Sequence, residues 1–154
     1  MTRINRYLAI LVLLLGVVGV VVGSIFIAQA VEKENWMKQA MRQEKITLGL
    51  SDAQIKQGEI VDTAKEAQTA GDTIREHRRG LAPTYNDLMA GGKFDPTNPK
   101  HVTYMQALNL ENYLYLSVLG FGVTTIALGI GVFMIVTGIA LGVTGMVLFK
   151  IASR

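Results

Sequence analysis

Few residues in this 154-residue chain have the types and spacing that catalysis or metal binding requires. Its two histidines are His77 and His101. His77 lies in the run Arg75-Glu76-His77-Arg78-Arg79, whose basic side chains suit the negative end of a helix dipole. The run reads as a solvated helix end, with capture of phosphate or of an acidic partner as the functional alternative. Asp95, Asn98 and His101 offer metal donors, but their spacing fits no zinc or calcium pattern, and Pro96 and Pro99 point to a turn. Glu32, Glu34 and Glu44 are not paired with a nucleophile or a metal-binding histidine. No Ser/His/Asp order, glycine-rich phosphate loop or HExxH sequence occurs. The chain has no cysteine, which removes disulfides, thiolate nucleophiles, Cys-ligated zinc and iron–sulfur clusters. The expectation is a chain with no catalytic residue, no cofactor-binding residue and no metal ligand, and not an enzyme.

The composition points to a bilayer. Half of the residues are hydrophobic and 18% are charged, against about 25% in ordinary soluble domains. The apolar residues gather at the two ends, around a polar middle. Net charge is +3, from 15 basic and 12 acidic side chains. Four of the basic residues, Arg3, Arg6, Lys150 and Arg154, flank the apolar ends. The rest of the charge lies between Val31 and Asn112, where acids exceed bases by one. The positive excess is thus an orientation signal placing both termini in the cytoplasm, and no nucleic-acid footprint.

No charge occurs from Tyr7 to Val31, a length that spans a bilayer as a helix. A cleaved signal peptide is the competing description, since Ala28-Gln29-Ala30 has the A-x-A form, but the apolar run is longer than the usual h-region. The second uncharged stretch covers the 38 residues between Glu111 and Lys150. As a helix it would measure about 57 Å, against about 30 Å of hydrocarbon. Part of it must be sheltered by protein, or the helix must bend near Gly142 and Gly145 and run along the interface. If Tyr7 and Phe149 sit level, Ile27 falls opposite Gly129, and Tyr113–Leu128 runs beside Trp36, Met37 and Met41. Gly16, Gly19 and Gly23 on the first span, and Gly131, Gly138, Gly142 and Gly145 on the second, are spaced as packing seams where backbones approach closely. The sequence leaves open whether the seams join helices of one chain or of two. Neither span carries an ionisable residue, which argues against a pump or proton-coupled carrier. Thr124, Thr125, Thr137 and Thr144 are expected to bond to their own helix backbone.

Between the spans, the first helix is expected to continue to Lys45, with Trp36 on one stripe and Met37 and Met41 beside it. Ile46–Leu50 would be a short extended piece. Ser51-Asp52-Ala53-Gln54 and Thr63-Ala64-Lys65-Glu66 are capping boxes that open helices, the first ending at Gly58 and the second near Gly80 in a left-handed cap. A short helix follows Pro83 and closes at Gly91-Gly92. Asn98 and Pro99 suit the N-cap and first position of a helix that runs on into the membrane.

The fold class expected is an all-α membrane protein: two transmembrane helices in an antiparallel hairpin, extended outside the bilayer and joined by a small helical extracytoplasmic cap. Its segments are a cytoplasmic N-terminus (1–6), transmembrane helix 1 (7–30), an extracytoplasmic helical segment (31–112), a long transmembrane helix 2 with an apolar extension (113–149), and a cytoplasmic C-terminus (150–154). Trp36, Tyr104, Leu108, Tyr113 and Tyr115 are the interface candidates. Lys45-Ile46-Thr47-Leu48, Thr84-Tyr85-Asn86-Asp87-Leu88 and Leu119-Gly120-Phe121-Gly122-Val123 resemble a family of small two-pass membrane proteins from actinobacteria. The resemblance covers roughly 100 residues and implies the topology and a bacterial cytoplasmic membrane, with no activity to transfer. The function expected is a non-catalytic accessory or scaffold subunit whose partners are the lipid bilayer and other membrane subunits, or copies of itself. Alternatives are a homo-oligomeric pore, laid out similarly to the large-conductance mechanosensitive channel, and a membrane-anchored extracytoplasmic binding module.

Overall fold

The computed structural model describes residues 3–153, and among these the chain is all-helical. Met1, Thr2 and Arg154, which belong to the two terminal segments expected in the cytoplasm, lie outside the described residues. The helices are α1 (Arg3–Glu44), α2 (Asp52–Lys56), α3 (Ala64–Leu81), α4 (Tyr85–Met89) and α5 (Pro99–Ala152). Both α1 and α5 are long and apolar enough to cross a membrane. Neither is interrupted, so α5 does not break at Gly142 or Gly145. The chain divides into two compact units, residues 3–33 with 123–153 and residues 34–122.

In the first unit α1 and α5 run antiparallel. Buried small residues recur every seven positions on each: Ala9, Gly16, Gly23 and Ala30 on α1, and Thr124, Gly131, Gly138 and Gly145 on α5. A seven-residue repeat keeps one seam facing the partner over many turns. The backbones meet along it. A Cβ on Gly16 would lie 2.5 Å from Gly142 N, one on Gly138 2.7 Å from Gly16 O, and one on Gly145 2.7 Å from Leu13 N. Gly19 faces the Gly138 Cα at 3.1 Å in the same sense, and Gly23 faces Gly131 O at 2.6 Å. Gly142 itself has open space where its Cβ would go. Ile27 packs on Gly131, two residues from the expected Gly129, and Arg6 stacks over the Phe149 ring at 5.8 Å. The side chains away from this seam are mostly large and apolar and point outward, for example Leu14, Val18, Phe133 and Val136, all more than half exposed. Ser24 and Thr144 donate their hydroxyls to the carbonyls four residues back, at 2.8 Å each, so these polar groups are satisfied within their own helices.

In the second unit α3 and the loops around it pack on the end of α1 and the start of α5. The main cluster joins Met41 to Val61, Ala67, Ala70, Leu114 and Phe121, flanked by Met37, Ile46, Leu110 and Val118. A smaller one joins Ala82, Leu88 and Tyr104. The expected boundary at 112/113 was placed where charge ends. The packing boundary is ten residues further on, because Leu114, Val118 and Phe121 of the apolar stretch belong to this core.

Local chemistry sets the ends of the short helices. Ser51 and Thr63 each accept from the backbone three residues on, while Gln54 and Glu66 reach back, completing both capping boxes. Gly58 takes φ +78 after α2. Two expectations fail. Residues 46–50 form turns, with Gly49 at φ +80, and a single backbone bond ties Val61 N to Ile46 O at 2.8 Å. And α3 runs through Gly80 to Leu81 with Ala82 extended, since Pro83 excludes the helical conformation from the residue before it. After α4 the left-handed positions are Ala90 and Gly91. Asn98 Oδ1 accepts from Lys100 N at 3.0 Å and Pro99 opens α5.

Candidate functional site

Two polar clusters and one open groove distinguish the second unit. The first cluster is buried. The face of α3 that carries Ala67, Ala70 and Ile74 into the core continues at helical spacing to Arg78, which is only 8% exposed. On α5 the inward face carries Tyr104, Glu111, Leu114 and Val118, and Glu111 is 6% exposed. The Arg78 guanidinium donates from Nε to Glu111 Oε2 at 2.7 Å and from Nη2 to Oε1 at 3.4 Å. It also donates from Nη1 to the Tyr104 hydroxyl and lies over that ring at 4.9 Å. The Glu111 hydrogen bond raises Arg78 above the usual guanidinium pKa, so the guanidinium stays charged. Arg78 is therefore no solvated helix end. It pins α3 to α5 at one register, with each guanidinium nitrogen bonded to a side chain of α5.

The second cluster lies one to two turns along. Tyr115 donates its hydroxyl to Asp72 Oδ1 at 2.7 Å, and Arg75 Nη2 approaches the same oxygen at 2.6 Å. Arg75 also sits 5.6 Å above the Tyr115 ring. The Tyr115 hydrogen bond, then those from Gln68 and the charge of Arg75, hold the Asp72 carboxyl below the usual carboxylate range. Gly71 lets this ring in, since a Cβ there would stand 3.0 Å from Tyr115 Cε1.

Asp95, Asn98 and His101 form a turn. His101 Nδ1 accepts from Asp95 N at 3.0 Å, Asp95 Oδ1 accepts from both Thr97 N and Thr97 Oγ1, and Phe94 stacks on the imidazole. The two Thr97 bonds hold the Asp95 carboxyl below its ordinary pKa. These side chains accept from N–H and O–H groups of the turn and of the first turn of α5, and among the described residues no group of three or more His, Asp or Glu converges on a point where a cation could sit.

The groove is of another kind. Ala40, Met41, Glu44 and Ile46 form one wall, and Leu110, Tyr113, Leu114 and Ser117 form the other. It holds about 420 Å³ and is open to the outside. Tyr113 and Ser117 project from the flank of α5 roughly opposite Glu111 and Tyr115, which face α3. Tyr113 is 69% exposed.

The interface candidates thus separate. Tyr104 is buried at 1% exposure and serves the interior; Leu108 packs against the smaller cluster; Tyr115 is engaged with Asp72. Trp36 and Tyr113 remain on the surface. What sequence reasoning missed is the Arg78–Glu111 pair. The signal was present as the seven- and eleven-residue steps from Gly71 and Ala67 to Arg78, hidden by the charged neighbours Arg75, Glu76 and Arg79. No family model, curated protein or solved structure matches the chain.

Proposed function

We propose that the chain is a non-catalytic accessory or scaffold subunit of a larger membrane assembly. The first unit is its membrane-spanning hairpin, and the second unit is an extracytoplasmic helical cap that receives a helix of a neighbouring subunit in the α1/α5 groove. Several observations support this placement. The outward surface of the first unit is almost wholly apolar, as lipid requires. Basic residues gather at the chain ends, which fits cytoplasmic termini. The motif resemblance favours a bacterial cytoplasmic membrane.

The observation that carries the assignment of role is the groove. An open apolar trough bordered by a rigid, largely exposed tyrosine is the surface that a partner helix fills, with the aromatic ring as anchor. The Arg78–Glu111–Tyr104 cluster is turned inward and satisfied and the Asp72–Tyr115–Arg75 cluster is bonded within itself, so they brace the cap and leave the groove as its recognition surface.

A photo-crosslinking residue in place of Ser117, expressed in native membranes, should give one discrete adduct that the Tyr113→Ala change weakens. The same residue in place of Lys56, on exposed α2, should give none. A monodisperse monomer after mild detergent extraction, together with no adduct at Ser117, would overturn the proposal.

A further inference from the structure

Trp36 is the chain's single tryptophan. It is 66% exposed, and no described residue hydrogen-bonds its indole. We infer that Trp36, with Leu116 and Leu119, forms the protein's interfacial belt in the outer leaflet, lying in the headgroup zone of phospholipid just outside the acyl boundary instead of against a protein partner. The inference rests on the two-span placement proposed above and fixes the depth of that placement.

The length of α1 sets the depth of both aromatics. From Tyr7, itself 70% exposed, to Trp36 the uninterrupted helix rises about 44 Å. A bilayer with both interfacial zones is about 40–45 Å thick. A tilt of about 20° shortens the rise only to roughly 41 Å. Aromatic side chains with one polar edge concentrate at these two levels.

Charge on α1 resumes at the same depth. Centring about 30 Å of hydrocarbon between the two aromatics leaves roughly 7 Å at each end and puts the outer boundary near Val31. The first charges, Glu32 and Lys33, follow at once, with side chains 65% and 59% exposed. They are a few ångströms below the Trp36 level, within reach of headgroups by extending outward.

The neighbouring helix agrees with this level. Within the second unit Gly120 packs on the Met37 thioether, so this turn of α5 lies level with Trp36. Beside it Leu119 is 63% exposed and Leu116 59%. In water these would be bare apolar side chains; in the interfacial zone they are solvated as their chemistry demands. Tyr113 is two further turns up, about 9 Å above Leu119, and falls outside the lipid at the groove.

Because the chain has one tryptophan, the native protein reports on the point directly. The full chain is reconstituted in phosphatidylcholine/phosphatidylglycerol vesicles carrying a spin label on the headgroup, at the acyl-chain terminus, or none, and iodide is the aqueous quencher. Emission should fall most with the headgroup label, less with the chain-terminal label and little with iodide. A Trp36→Phe/Tyr113→Trp double variant should reverse this, losing most of its emission to iodide and little to either lipid label. Two results overturn the inference: Trp36 quenched chiefly by iodide or by the chain-terminal label, or the Tyr113→Trp reporter quenched by lipid as strongly as Trp36. Alkaline carbonate extraction of the same vesicles separates the two proposals. Release of the protein sinks the two-span placement, whereas retention with iodide-dominated quenching sinks the belt alone.

Discussion

Arg78 and Glu111 are 33 residues apart in sequence and meet in the interior of a small helical unit. Each charge loses its hydration there, so the pair is stable only as a pair. Removing one partner strands the other. Arg78→Ala is expected to destabilise the second unit by about 3–5 kcal/mol, whereas Arg78→Met combined with Glu111→Leu should come out near neutral. A double-mutant cycle on thermal unfolding of the detergent-solubilised protein checks both. Asp72 supplies a pH dependence of definite sign. Its folded pKa is depressed, so its contribution is fully present above the unfolded value of about 4 and is lost as pH falls through the folded one. The melting-temperature gap between the native chain and Asp72→Asn should therefore be open at neutral pH and close on acidification below about 4. A gap that persisted or widened in acid would contradict the Tyr115–Asp72 bond as its source. The sequence disclosed neither cluster, because a charge run looks the same whether or not one of its members points inward.

At the scale of elements the glycines are not equivalent. Gly16, Gly138 and Gly145 face backbone closer than any Cβ tolerates, and Gly142 and Gly129 face open space. Gly138→Ala or Gly145→Ala should cost about 1–3 kcal/mol by forcing α1 and α5 apart. Gly142→Ala and Gly129→Ala should be neutral or mildly stabilising, through better helix propensity. A steric-trap or thermal-shift series in detergent ranks them, and equal effects at Gly138 and Gly142 would contradict the seam. The seven-residue spacing was legible in the sequence. The difference between Gly138 and Gly142 was not, since it depends on which backbone lies opposite. Capping boxes at Ser51 and Thr63 were legible because they are local, closed by residues three positions apart. The end of α3 near Gly80 was legible to within one residue, but its cap was not: Ala82 is extended before Pro83, where a left-handed glycine was expected.

For the molecule as a whole, the second unit carries its own core, and that core borrows Leu114, Val118 and Phe121 from the apolar rod. A fragment of residues 34–122 should be helical in solution and unfold cooperatively. One ending at 112 lacks those three side chains, each worth about 2–5 kcal/mol on truncation, and should not. Circular dichroism and limited proteolysis of the two fragments distinguish them, and equal behaviour would mean that the rod is not part of the core.

The sequence by itself determined the two apolar helices, the polar segment between them, the caps and the seam spacing. Each of these follows from hydrophobicity, charge or hydrogen bonding among residues a few positions apart. Only the tertiary structure decided that Arg78 is buried against Glu111, that the unit boundary falls after Gly122, and that Tyr104 is interior while Trp36 and Tyr113 stay outside. Those outcomes depend on what lies across from each residue. Helical spacing fixes which side chains share a face, but not which face another helix will cover.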